Sequence, residues 1–130
     1  MSRLTADSKP QWGKMNSAQM LWHLAASLQT ALGEKKLARG GPGFLKWGPV
    51  RNLIIYYVPL PKGAPTAPEL VAPSGVEFDK ARAEYARAAD KFATHTGDFA
   101  PNSLFGAISR EDWGTLMYRH TDHHLRQFGL

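Results

Sequence analysis

The chain has 130 residues, of which 43% are hydrophobic and 21% charged, with a formal net charge of +5 and no cysteine. That length suits one domain with a core and is short for two, and the missing cysteine excludes disulfides, thiolate metal ligands and a cysteine nucleophile. Residues 1–14 lack an apolar targeting core and the longest apolar run, residues 53–58, is far short of a membrane span, so the expected setting is the cytoplasm, without a membrane.

Residues 3–9 read as a short helical stub ended by Pro10, and Trp12-Gly13-Lys14 as a turn. The first strong helix follows. Asn16 with Gln19 forms a capping box, Met15 and Met20 stand at the positions of a hydrophobic staple, and the helix is expected to reach Gly33. Its residues Met20, His23, Leu24, Ser27, Leu28 and Ala31 recur at helical spacing, which sets His23 within the buried stripe. A buried imidazole needs a partner.

Gly40-Gly41-Pro42-Gly43 breaks the chain, and Pro49 is placed to open a shorter helix to about Tyr56, although residues 53–58 would also suit a strand. The prolines between positions 59 and 73 make a long irregular connection, a candidate lid. Ser74 with Glu77 reads as the opening of the next helix, whose stripe Phe78, Ala81, Tyr85, Ala88 and Phe92 faces a core. His95, in that helix's last turn, suits a dipole-capping role better than ligation. The final helix has Ser109 as N-cap, Asp112 completing the box, Ile108 and Trp113 as a staple, and Gly129 as its stop. With no strand pattern strong enough to build a sheet, the expected fold is an all-α bundle formed by residues 1–130 as a single domain.

Charge is unevenly spread. Residues 34–62 carry Lys35, Lys36, Arg39, Lys46, Arg51 and Lys62 against the single acid Glu34. Dispersed lysines on a loop are usually only solvated, but such a stretch also fits an anionic small molecule or a phosphate backbone, and it has few aromatics spaced for stacking bases, so a small anionic substrate is favoured over nucleic acid.

The chemistry points to the C-terminus. His120 and His124 lie about 40° apart on one helical face, separated by about 6 Å of rise, and such a pair can grip one metal ion. The spacing alone arises by accident too often to stand without a third partner, and His23 on the other amphipathic helix is the best candidate. Three neutral imidazoles leave further coordination positions open, as in catalytic zinc sites, where bound water or thiol becomes a nucleophile. The competing reading makes them hydrogen-bonded core histidines. His123 could pair with His120 at i,i+3 instead; Gln127 could orient a ligand or meet substrate, and Trp113 lies on the same face as His120. Asp122 and Arg126 read as an ordinary i,i+4 ion pair.

Trp12-Gly13-Lys14-Met15, Gln19-Met20-Leu21-Trp22-His23, Phe105-Gly106 and the run His120-Thr121-Asp122-His123-His124-Leu125-Arg126-Gln127-Phe128-Gly129 together resemble a domain-of-unknown-function branch of the DinB/YfiT-like superfamily, over nearly the whole chain. The resemblance implies a four-helix bundle running up-down-down-up, with a shortened first helix here and a long Pro-rich crossover supplied by residues 33–74. It also implies a divalent metal, zinc or nickel, held by His23, His120 and His124, and activity of the kind shown by thiol-dependent transferases. Leu125 departs from the pattern, standing where many members have arginine. The expectation is a metal-dependent enzyme transferring a low-molecular-weight thiol to a small electrophile. Its alternatives are a metal-dependent hydrolase and a non-enzymatic protein that binds an anionic partner through residues 34–62. The stub-like first helix would leave an apolar groove, which makes a homodimer plausible.

Overall fold

In the computed structural model, which describes residues 3–37, 42–61 and 67–130, one helix is buried almost all round. Helix α1 (Ser17–Ala31) hides Ser17, Ala18, Met20, Leu21, His23, Leu24, Ala25, Ala26, Ser27, Leu28 and Ala31, so it must be enclosed by other elements rather than lie on a surface. The Asn16 side chain accepts from the Gln19 amide at 2.8 Å while Gln19 Oε1 accepts from the Asn16 N–H at 2.9 Å, and this closes the expected capping box. At the other end, the amides of Gly33 and Glu34 bond to the carbonyls of Thr30 and Gln29, a Schellman closure that ends the helix at Ala31.

Helix α2 (Gly48–Tyr56), helix α3 (Phe78–Thr94) and helix α4 (Arg110–Gln127) complete the set; among the described residues no strand forms beyond an isolated bridge between Asn102 and Gly106. The fold is all-α. No described helix is long and apolar enough to cross a membrane. Arg39 and Lys62 of the basic stretch, and Gly40 and Gly41 of the chain break, lie outside the described residues.

Helix α3 lies along α1. Its buried positions are the small residues Ala81 and Ala88, which let the two backbones approach: Ala81 joins Met20, Leu21 and Leu24 in one cluster, and Ala88 joins Ala25 and Leu28 in another. Tyr85 and Phe92 flank these contacts, half-buried. Helix α4 closes a further side of α1, starting at Ser109, whose hydroxyl accepts from the Asp112 amide at 3.0 Å, and ending in a second Schellman closure through Gly129 and Leu130.

Two expectations are corrected. Residues 3–9 form turns rather than a helical stub: the Ser8 amide donates to the Thr5 carbonyl at 3.1 Å and the Thr5 amide to Ser8 Oγ at 3.0 Å, so side chains that compete with helical bonding take the backbone into a turn. Leu4 is nonetheless buried against Met20, Leu21 and Phe128. The third helix does not open at Ser74. Gly75 sits at φ +79°, a left-handed conformation that breaks the helical run, and α3 begins only after Glu77, which makes no side-chain cap bond.

Residues 48–56 are helical, as expected from Pro49, and of residues 53–58, which would also suit a strand, those up to Tyr56 belong to the helix. Pro49 sits in the first turn, where its missing N–H costs nothing. The far end is held from outside: the Arg119 guanidinium donates to the carbonyls of Ile54 at 2.9 Å, Ile55 at 2.7 Å, and Val58. A cation on the last carbonyls satisfies groups a free helix end leaves bare and sits favourably at the negative end of the dipole. Ile55, fully buried, is the single buried residue of α2, and Phe44, Trp47, Leu53 and Tyr57 are exposed around it.

Candidate metal centre

Each helix delivers its histidine for a local reason. His23 stands mid-way along the enclosed α1, and His120 and His124 lie one turn apart on the face of α4 turned toward it. The structure brings the three rings together: His23 Nε2 is 2.9 Å from His120 Nε2, and His124 Nε2 is 3.1 Å from the same atom. Ring centroids stand 4.7 to 4.8 Å apart and the rings meet edge to face. One ligand nitrogen from each histidine falls within 4.8 Å of the others, and the group could hold a metal ion.

The outer nitrogens decide what the inner ones carry. His23 Nδ1 is 3.0 Å from the Leu70 carbonyl, which can only accept; His23 Nδ1 therefore bears the proton. His124 Nδ1 is 2.7 Å from Gln127 Oε1, and the amide of Gln127 is oriented by its own Nε2, which donates to the Trp12 carbonyl at 2.8 Å. His124 Nδ1 is thus also the protonated nitrogen.

Burial holds both rings neutral. It is the main reason the His23 pKa falls below its ordinary 6.5, against an opposing pull from the Leu70 carbonyl. His124 drops to about 4, by burial first and by the neighbouring His23 and His123, with the Gln127 bond opposing. His120 is pushed well below the usual range by burial and then by the neighbouring His23, His124 and His123. A neutral ring with Nδ1–H has a bare lone pair on Nε2.

Two lone pairs, from His23 and His124, therefore face one atom, His120 Nε2. If that atom carries a proton it donates to one of them and leaves the other unsatisfied; if it does not, three lone pairs converge. A cation resolves either case. Nitrogens about 2.0–2.1 Å from zinc in a tetrahedral site stand roughly 3.3 Å apart, so the 2.9 and 3.1 Å pairs need to part by only a few tenths of an ångström, while the remaining pair, His23 with His124, within 4.8 Å, is the one that would draw together around an ion. An all-imidazole donor set suits divalent transition metals as a group and does not choose among zinc, copper, iron and nickel.

The other expected residues take different places. Gln127 is buried and touches His124 directly. The His123 ring is 5.2 Å from that of His124 and 5.7 Å from the Trp12 indole, at the rim of the cluster rather than inside it. Trp113 serves packing: two turns before His120, about 10 Å along the helix, it is buried, and its indole N–H donates to the Ala100 carbonyl at 3.0 Å. Asp122 pairs with Arg126 at 2.8 Å, and His95 bonds to the Asp98 carbonyl and stacks on Phe99, away from the cluster.

The carbonyls of Leu70 and Trp12 were not visible in the sequence, since every residue has one. Leu70 ends a 3₁₀ turn, Pro68–Leu70, so this turn forms a wall of the site. Lys35 reaches the same turn, its Nζ donating to the Glu69 carbonyl at 3.2 Å and lying 4.6 Å from the centroid of the Trp22 ring.

Fold and site define an all-α protein with a cluster of three histidines able to hold a metal ion. The family model described as "Protein of unknown function (DUF1569)" matches residues 1–129, and the chain belongs to that family. Comparisons with curated proteins and with solved structures find no match.

Proposed function

We propose that this protein is a divalent-metal-dependent enzyme with a DinB-like bundle, in which His23, His120 and His124 hold zinc or nickel and a low-molecular-weight thiol is transferred to a small electrophile. The observation that carries the reading is the convergence of bare imidazole nitrogens, with the protons of His23 and His124 fixed on the outward side. Structural histidines settle into donor–acceptor pairs, and this cluster cannot pair completely. When bound, a divalent cation supplies Lewis acidity that favours the deprotonated form of a thiol or water.

The chain's own residues do the rest. Leu70 and Gln127 aim the two imidazoles; burial keeps them unprotonated near neutral pH. Lys35 borders the wall formed by the Pro68–Leu70 turn and would attract the carboxylates of an anionic thiol.

The test is metal analysis of protein purified without a histidine tag, beside His124→Ala. Stoichiometric zinc or nickel in the former and its loss in the latter is expected; equal content in both would overturn the assignment. Metal-loaded protein is then incubated with a panel of thiols and electrophiles. Metal-dependent conjugation supports transfer, whereas metal-dependent loss of ester or amide substrates without thiol assigns hydrolysis instead.

A further inference from the structure

We infer that Gln127 is a positioning residue, and that the turn at Trp12 and Gly13, over a hundred residues away in the chain, sets the orientation of its amide and so selects which nitrogen His124 presents to the cluster. The inference rests on the metal-site reading above and adds to it a control exerted by residues that touch no metal.

The chain of contacts is continuous. Gln127 is the last residue of α4, buried, and its backbone carbonyl accepts from the Gln11 amide at 2.6 Å. Its side chain bridges two groups of opposite demand: the Trp12 carbonyl needs a donor and receives Nε2–H at 2.8 Å, which leaves Oε1 as the acceptor for His124 Nδ1 at 2.7 Å. Rotating the amide by half a turn would set carbonyl against carbonyl on one side. On the other, the NH₂ would face His124 Nδ1, moving the histidine proton to Nε2, where it would point into the cluster and block ligation.

Gly13 keeps this bridge in place. Its φ is +78°, and a Cβ there would lie 2.7 Å from Gln127 Nε2. Alanine would therefore be strained in its own backbone and would also push the amide away from the Trp12 carbonyl. Glutamate at position 127 would still accept from His124 but would face the Trp12 carbonyl without a proton to donate; leucine would do neither.

The experiment begins with metal-free wild-type protein. Long-range ¹H–¹⁵N correlation of the imidazoles is expected to show His124 as the Nδ1–H tautomer, and an Nε2–H tautomer there would overturn the inference without any variant. Gln127→Leu is expected to mix the tautomers and to weaken zinc binding by about 10–100-fold, the usual effect of losing a partner behind a metal ligand, measured by competition with a chromophoric chelator. Gln127→Glu should keep the tautomer. Gly13→Ala should weaken zinc although it contacts no histidine, with circular dichroism confirming its fold. An unchanged tautomer and zinc affinity within twofold of wild type in Gln127→Leu refutes the positioning role. Failure of the wild type to bind zinc refutes the metal-site reading instead, and the tautomer result separates the two.

Discussion

Lowering the pH of metal-free protein should destabilise it through the histidine cluster, by an amount the structure sets. An unfolded imidazole takes its proton near 6.5, whereas His124 in the folded chain does so at about 4. Between these values the unfolded state binds more protons, so unfolding free energy is level above about pH 7 and falls as pH drops through the window. A drop of about 2.5 pKa units corresponds to roughly 3 kcal/mol for His124 alone, at about 1.4 kcal/mol per unit. His23 and His120 are displaced in the same direction and add to the loss. Against a total stability of about 5–15 kcal/mol for a domain this is a large fraction. Urea unfolding in chelator, at several pH values between about 7.5 and 4.5, measures it. His124→Gln removes the titrating ring and isolates its share from that of carboxylates, and the variant should lose distinctly less stability over the same range. Equal slopes in wild type and variant, or a wild-type midpoint that does not move, would refute the reasoning.

Other perturbations test the frame that holds the cluster. Arg119→Met removes the guanidinium from the Ile54 and Ile55 carbonyls and should cost about 2 kcal/mol in urea unfolding, the scale of a charged hydrogen bond, with loss of helical circular dichroism from α2. Asn16→Ala deletes the α1 cap and should cost about 1 kcal/mol while leaving zinc affinity within twofold by chelator competition. Leu21→Ala empties a position that is 1% exposed between α1 and α3; a loss of about 2–5 kcal/mol is expected, read as a lowered urea midpoint.

Features written in neighbouring residues were legible in the sequence. The capping boxes at Asn16 and Ser109 close within four residues, and the spacing of His120 and His124 follows from helical geometry alone. The stub expected at residues 3–9 failed because Thr5 and Ser8 bond to each other's backbone. The Ser74 start failed because Gly75 takes a left-handed conformation that a pattern of residue types does not reveal. Residues 53–56 are helical and end at Tyr56, and the carbonyls at that end are met by Arg119, a residue on another helix that no local pattern reveals. At the site, the histidines had a signature but the Leu70 and Trp12 carbonyls had none, although the first bonds to His23 and the second to the Gln127 amide that meets His124.

X-ray absorption at the metal edge of zinc-loaded protein tests the central claim most directly. Three imidazole nitrogens at about 2.0–2.1 Å, with a spectrum changed by His23→Ala as well as by His124→Ala, is the result predicted for ligands drawn from α1 and α4. A zinc shell without that imidazole scattering, or one indifferent to His23, would contradict it.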